Sequence, residues 1–430
     1  MSTTPPPKKP DVRVNSPERR QLEWRDFSLD GYVRQDDKVR IIWRYVESLD
    51  LTILYDKIQA VEFQPGRNAV DPKILVALWL MATVESISSA RALERLSQRD
   101  LAYMWICGGV SVNYHLLSDF RSQHRDFLKQ VLTTTVASLL HAEVITLDTV
   151  AQDGVRVRAS AGSSSFHRKP TIEKRIAEAK AHLAALEENE DSDDTSRGSS
   201  SAKERAVRDK LARAEEALKQ VAELQKEQDQ RRRGKVETPK EARCSTTDPD
   251  ARKMKMGDGG FRPAYNVQVA TDGASRIIVG VDVTKKGNDG QEMFPMQSQI
   301  IANYGKAPQN YLVDNGFVTH DQITKTENAG SQVHAPVHGE KAMKKRGNDP
   351  FARKKCDTDE CFAFRQRMAT EAAQQRYKQR PSIAEYVNAE FRNRGLTQFR
   401  VRGLEKVQTV VEWYAITFNL LRLINLGLVT

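Results

Sequence analysis

Three acidic residues, far apart along the chain, are the best candidates for chemistry. Asp153 lies in AQDGVRVRAS, where Val155 and Val157 alternate with Arg156 and Arg158 as in a strand. Asp314 follows the apolar run YLV and precedes the turn pair Asn315-Gly316. Glu385 stands in PSIAEYVNAEFRN, which opens with Pro381 and keeps Ile383, Val387 and Phe391 near one side, so it is a helix-borne carboxylate. If the strands bearing Asp153 and Asp314 are sheet neighbours, their oxygens can face one point, which is what Mg²⁺ requires. Two such ions roughly 4 Å apart would activate an attacking water or hydroxyl and stabilise the leaving oxygen of an in-line phosphodiester displacement. The chain holds 57 Asp and Glu, so ordinary turn and surface carboxylates remain the competing account of any such triplet.

Other chemistries lack their motifs. There is no G-x-x-x-x-G-K-[ST] loop, no G-x-G-x-x-G turn after a strand, no H-E-x-x-H and no serine-hydrolase elbow. His334 and His338 are four apart, but Pro336 between them argues against a shared helix and for loop residues. Of the four cysteines only Cys356 and Cys361 are close in sequence; without a second pair or well-placed histidines, neither a disulfide scaffold nor a zinc site is expected. Asp248, Asp250, Asp258, Asp272 and Asp289 are expected in turns and caps, and Glu405 and Glu412 in structural roles.

Elements must bring the three carboxylates together. From Val39 to about Ala142 the apolar spacing is helical: Ile42, Trp43, Tyr45, Val46 and Leu49, then an Asp71-Pro72 start before Ile74 to Val84, a helix from Ser88 ending before Gly108-Gly109, and another from Leu117 to His141. At Val144 the period changes to that of strands. AYNVQVATDGASRIIVGVDVT predicts a hairpin turning at Asp272-Gly273. Between the first strand and this hairpin, Ile172, Ile176, Ala179, Leu183 and Leu186, then Val207, Leu211, Ala214, Leu218 and Val221, step by threes and fours about a polar DSDDTSRGSS. They predict an antiparallel coiled-coil hairpin inserted into the domain, ending in the basic run QRRRGK. Its alternatives are an inert spike, or a role in dimerisation or DNA contact.

The resulting fold class is mixed α/β. Residues 1–36 read as a disordered basic tail, 37–142 as a helical N-terminal domain, 143–170 with 236–430 as a mixed-sheet domain, and 171–235 as the insertion. Lys and Arg total 67 against 57 acidic residues, and the resulting +10 points to a polyanionic partner, nucleic acid or anionic membrane. No run approaches the roughly 20 apolar residues that span a bilayer, and no signal-peptide core is present, so a cytoplasmic protein is expected.

The stretches AQDGVRVRASAGSSSF, TDPDARKM, AYNVQVATD, YLVDNGF and FRVRGLEKVQ resemble bacterial insertion-sequence transposases of the DDE class, whose catalytic domain is ribonuclease H-like. IIWRYVESLDL, PGRNAVDPKILVALWL, SARALERL and NYHLLSDFR resemble the helical N-terminal region of the same family, so the likeness runs from about Asp37 to Leu426. Carried over by motif, the catalytic and metal-binding triad falls on Asp153, Asp314 and Glu385, with Glu390 as the other register. The family's Y-x2-R-x3-E-x6-K signature falls on Tyr377, Arg380, Glu385 and Arg392 with two departures: one extra residue between Arg380 and Glu385, and Arg392 where lysine is usual. The arginine keeps a positive charge but not the point-charge geometry of lysine.

The resemblance implies cleavage at the element's terminal inverted repeats and strand transfer by the freed 3′-hydroxyl, with two Mg²⁺ ions, or Mn²⁺ in their place, and no nucleotide cofactor. Its implied partners are double-stranded DNA at the ends and target, and a second copy of the chain, since both ends must be held together. DNA contacts would come from Tyr377, Arg380 and Arg392, and from Arg156 and Arg158, whose alternative is pairing on an exposed strand face. The helical domain would read the repeats, with Ser88 to Arg99 as one candidate recognition helix whose Leu93 and Leu96 suit a core-facing role equally. An inactive DNA-binding relative, an interaction scaffold built on the hairpin, and a tyrosine recombinase acting through Tyr377 are the alternatives.

Overall fold

The computed structural model describes residues 28–60, 68–190, 197–231 and 241–429. Most of the N-terminal tail, the DSDDTSRGSS turn up to Ser196 and most of QRRRGK lie outside the described residues.

The helical region contains α1 (Leu29–Tyr32), α2 (Lys38–Glu47), α3 (Thr52–Tyr55), α4 (Pro72–Val84), α5 (Ala90–Leu96), α6 (Leu101–Cys107), α7 (Tyr114–Gln123) and α8 (Arg125–His141). Asp71 caps α4 by accepting from the Lys73 amide at 2.8 Å, with Pro72 at the first helical position. Every residue of α4 from Ile74 to Thr83 is buried, so its apolar surface faces protein on all sides. Two helices predicted as continuous are broken. Asp100 accepts from the amides of Ala102 and Tyr103 and starts α6 afresh, while His124, at φ −112° and ψ 46°, leaves the helical region between α7 and α8.

The sheet contains β1 (Thr149–Arg158), β4 (Arg252–Lys255), β5 (Phe261–Asp272), β6 (Ile278–Thr284), β7 (Asn310–Leu312) and β8 (Gln332–His334); β2 (Phe166–His167) and β3 (Cys244–Ser245) form a separate pair. The order is β4-β5-β1-β7-β8, with β6 also on β5. β1, β5 and β6 run antiparallel, whereas β7 and β8 run parallel to β1. His334, predicted in a loop, is the last residue of β8. Its buried ring shares a 3.0 Å hydrogen bond with Asn310, and burial beside Arg367 and Arg376 presses its pKa down to about 4.

The remaining helices are α9 (Lys169–Glu190), α10 (Arg197–Arg231), α11 (Met293–Tyr304), α12 (His320–Asn328), α13 (Glu340–Lys345), α14 (Asp359–Ala369), α15 (Glu371–Tyr377), α16 (Tyr386–Asn393) and α17 (Leu404–Asn425). One apolar core joins Val157, Val267, Val269 and Val281 of the sheet to α4, α7, α8, α16 and α17, so the N-terminal helices and the sheet share it. The second core packs Val150, Ala270, Val279 and Tyr311 against α11, α12, α14 and α15. α17 is buried from Val407 to Leu420. Its Trp413 donates to the Arg121 carbonyl at 3.1 Å and its Asn419 bonds both backbone groups of Ile278, tying helices to sheet.

α9 and α10 lie side by side and antiparallel. Ile172 packs with Ala217 and Val221, and Lys180 pairs with Glu215 at 3.3 Å. Gln220 of α10 donates to Asp250 at 2.8 Å and accepts from Arg252 at 2.6 Å, which anchors the helix pair beside β4.

Candidate active site

β1 and β7 bring the two aspartates together. Their register pairs Ala151 with Leu312, and two residues further along each chain stand Asp153 and Asp314. Asp314 closes a tight turn, accepting from the Gly316 amide at 2.7 Å. Asp153 is largely buried, and both its oxygens are engaged: Oδ1 accepts from Arg380 at 2.8 Å and Oδ2 from Asn388 at 2.8 Å. Burial pushes the Asp153 pKa up, Arg380 opposes this, and the charges of Asp314 and Asp289 push it further up.

The segment carrying Glu385 is not a plain α-helix. Residues Pro381–Glu385 form a π-helical turn between α15 and α16. A π turn holds one more residue than an α turn, so it absorbs the extra residue between Arg380 and Glu385. Arg380 Nη1 consequently lies 3.9 Å from the Glu385 carboxylate while Nη2 holds Asp153. Glu385 is the most open of the three, its side chain 63% exposed against 18% for Asp153. Tyr377 stands half-buried in the field of all three carboxylates, and burial together with those charges raises its pKa against the pull of Arg380.

The donor set fits a hard divalent cation. Asp153 and Asp314 are neighbouring oxygen donors with Glu385 further out, the three not closing to within 4.8 Å of one another, and the Asn388 Oδ1, buried beside Asp153, has no hydrogen-bond partner among the described residues.

Comparison with known families adds to this geometry. Residues 27–123 match a transposase domain (DUF772), and residues 340–424 match a transposase DDE domain. The two matches, in this order along one chain, support an insertion-sequence DDE transposase. No curated protein and no solved structure matches it. The DDE match contains Tyr377, Arg380, Glu385 and Arg392, whereas Asp153 and Asp314 fall between the two matched segments.

Two features of the candidate site escaped sequence reading. Asn388 lies three residues after Glu385, and only its helical spacing could have flagged it. Asp289, expected in a turn or cap, instead lies buried under the opposite face of β1. It accepts from Asn266 at 2.7 Å, Gln268 at 2.6 Å and Arg156 at 3.2 Å. A Cβ at Gly154 would stand 2.5 Å from its Oδ1 and 2.6 Å from Gln268 Nε2, so the Asp153-Gly154 pair is an aspartate on one face and a required gap on the other. The network continues through Gln152, which donates to Gln268 at 2.9 Å and accepts from the Tyr311 hydroxyl at 2.8 Å.

A groove leads away from Asp153, lined by Arg156, Arg158, Arg262, Arg392 and Asn388. Of the arginines expected to face DNA, Arg380 is buried and pairs with Asp153, while Arg156 lines the groove part-exposed and pairs with Asp289. Arg158 and Arg392 are exposed. Asp248, Asp250, Asp258 and Asp272 hold loops and turns as expected; Asp272, for instance, accepts from the Ser275 amide at 2.9 Å and its hydroxyl at 2.7 Å.

Proposed function

We propose that this transposase cuts and joins DNA at the terminal inverted repeats of its element through Asp153, Asp314 and Glu385. The observation that supports the reading is that the parallel β1–β7 pairing ends at Ala151 and Leu312, two residues before Asp153 and Asp314, with Arg380 reaching both Asp153 and Glu385. The strand order β6-β5-β1-β7-β8 and its polarity support a ribonuclease H-like domain. The three carboxylates would hold Mg²⁺, which when bound supplies activation of the attacking oxygen and stabilisation of the leaving one. Arg380 neutralises Asp153 and Glu385 in the free protein, and a DNA phosphate gives it an alternative anionic partner. Arg158 and Arg392 position the backbone along the groove, beside the paired Arg156, and Tyr377 packs at its catalytic end.

The helical region contacts the repeats. Its α5 buries Leu93 and turns Arg91 and Arg95 outward, with Arg99 just beyond. α9 and α10 form a coiled-coil arm inserted into the catalytic domain, and two copies act together on paired ends. Helical domain, catalytic domain and arm divide near residues 142, 170 and 236.

The engagement of both Asp153 oxygens by protein donors favours a second reading, a transposase-derived protein that only binds DNA. One assay separates the two: cleavage of DNA bearing the element's ends with Mg²⁺, comparing wild type with Asp153→Asn, Asp314→Asn and Glu385→Gln. Cutting by wild type alone supports the nuclease. Binding without cutting by wild type supports the second reading, and equal cutting by all four rejects the triad.

A further inference from the structure

Away from the candidate active site, the described residues contain one cluster placed to hold a metal ion: His320, Cys356 and Asp357, with one donor atom from each within 4.8 Å of the others. His320 begins α12, six residues after Asp314, and Cys356 and Asp357 precede α14, which leads through α15 to Arg380 and Glu385. The sequence pairs Cys356 with Cys361, but the fold separates their roles. The Cys361 thiol is buried and faces the His320 carbonyl at 3.6 Å, while Cys356 is free and exposed beside the His320 ring.

We propose that His320, Cys356 and Asp357 bind one zinc ion. Imidazole, thiolate and carboxylate are the three donor types that zinc accepts, and three protein ligands leave its fourth position to water. Nitrogen and oxygen donors about 2.1 Å from a tetrahedral ion stand about 3.4 Å apart; His320 Nε2 and Asp357 Oδ1 are 3.2 Å apart. Asp357 is already oriented from behind. Its Oδ2 accepts from Arg365 Nε at 2.8 Å and from the Lys354 amide at 2.8 Å, which leaves Oδ1 toward the histidine with only a long 3.4 Å contact to Arg365 Nη2. Such outer partners fix a ligating carboxylate. Thiolate and carboxylate balance the dication, and the exposed Cys356 gives zinc a route in. Bound there, the ion would staple the start of α12, just past Asp314, to the segment that delivers Glu385.

The test is zinc content. The full chain is incubated with Zn²⁺, desalted and assayed for metal, with Co²⁺ as a spectroscopic probe of thiolate ligation. The wild type is expected to retain about one zinc per chain and to show a sulfur-to-cobalt charge-transfer band. Cys356→Ser and His320→Ala, both at exposed positions, should bind at least about tenfold more weakly with unchanged circular dichroism. Asp153→Asn should keep the zinc, which separates this site from the carboxylate triad. Wild type that retains no zinc, a cobalt complex without the thiolate band, or Cys356→Ser holding as much zinc as wild type would overturn the proposal.

Discussion

The two faces of β1 are built on opposite rules. On one, Asp153 opens toward a groove, held by the side chains of Arg380 and Asn388. On the other, Gln152 and the space above Gly154 belong to a closed polar network through Gln268, Asp289 and Tyr311. A buried polar network is stable only when its members are satisfied, so the closed face resists change while the open face exchanges partners. The difference teaches that the catalytic strand is positioned from behind.

Five substitutions sharpen or break that contrast, beginning with the largest effect. Asp314→Asn on the open face should lower end cleavage by about 10³-fold, about 4 kcal/mol of barrier, while denaturant unfolding stays within about 0.5 kcal/mol of wild type. A comparable loss of stability would mean that the open face is structural too. Gly154→Ala on the closed face should reverse the balance, costing about 2–3 kcal/mol of stability by overpacking. An unchanged melting temperature there would show that Asp289 is not locked in place.

Glu412, buried on α17 away from both faces, is the control for burial acting on a carboxylate by itself. Desolvation pushes its pKa up to about 7, against Gln408 and Arg125. The folded state therefore keeps a proton that the unfolded chain has lost, and stability present below about pH 4.3 is forfeited as the pH rises to about 7. Glu412→Gln should raise stability by about 2 kcal/mol at pH 8 and by almost nothing at pH 4, as read from unfolding curves. A gain that is equal at both pH values would dismiss burial as the cause. The smallest effects belong to the groove. Arg158→Ala or Arg392→Ala should each reduce the slope of log K against log salt by about 0.9 for DNA binding, without a preference for sequence. An unchanged slope would remove the groove from the DNA path.

Much of this was legible from local pattern. The Asp71-Pro72 start and the β5–β6 hairpin follow from short-range rules that the tertiary contacts reinforce. The breaks at Asp100 and His124 were not legible. The apolar spacing runs on through both points, and a cap in one case and a single off-helix residue in the other decide the matter. Asp289 was hidden for a different reason: an aspartate among glycines and asparagines reads as a turn until the strand above it is in place. The cation expected to free itself for DNA at Arg380 was likewise invisible as a buried partner, since charge on a helix carries no mark of what it will face.

The order of motifs along the chain was enough to point to the family that the two domain matches support, to single out three candidate carboxylates and to place a helical region before a mixed sheet, because these depend on residue type and spacing. Only the folded molecule decided that Asp153 and Asp314 follow paired residues of neighbouring strands, that a π turn restores Glu385 to the reach of Arg380, and that His320 meets Cys356. Those are contacts between segments distant in sequence. Strand pairing and packing set their geometry, and no local pattern encodes it.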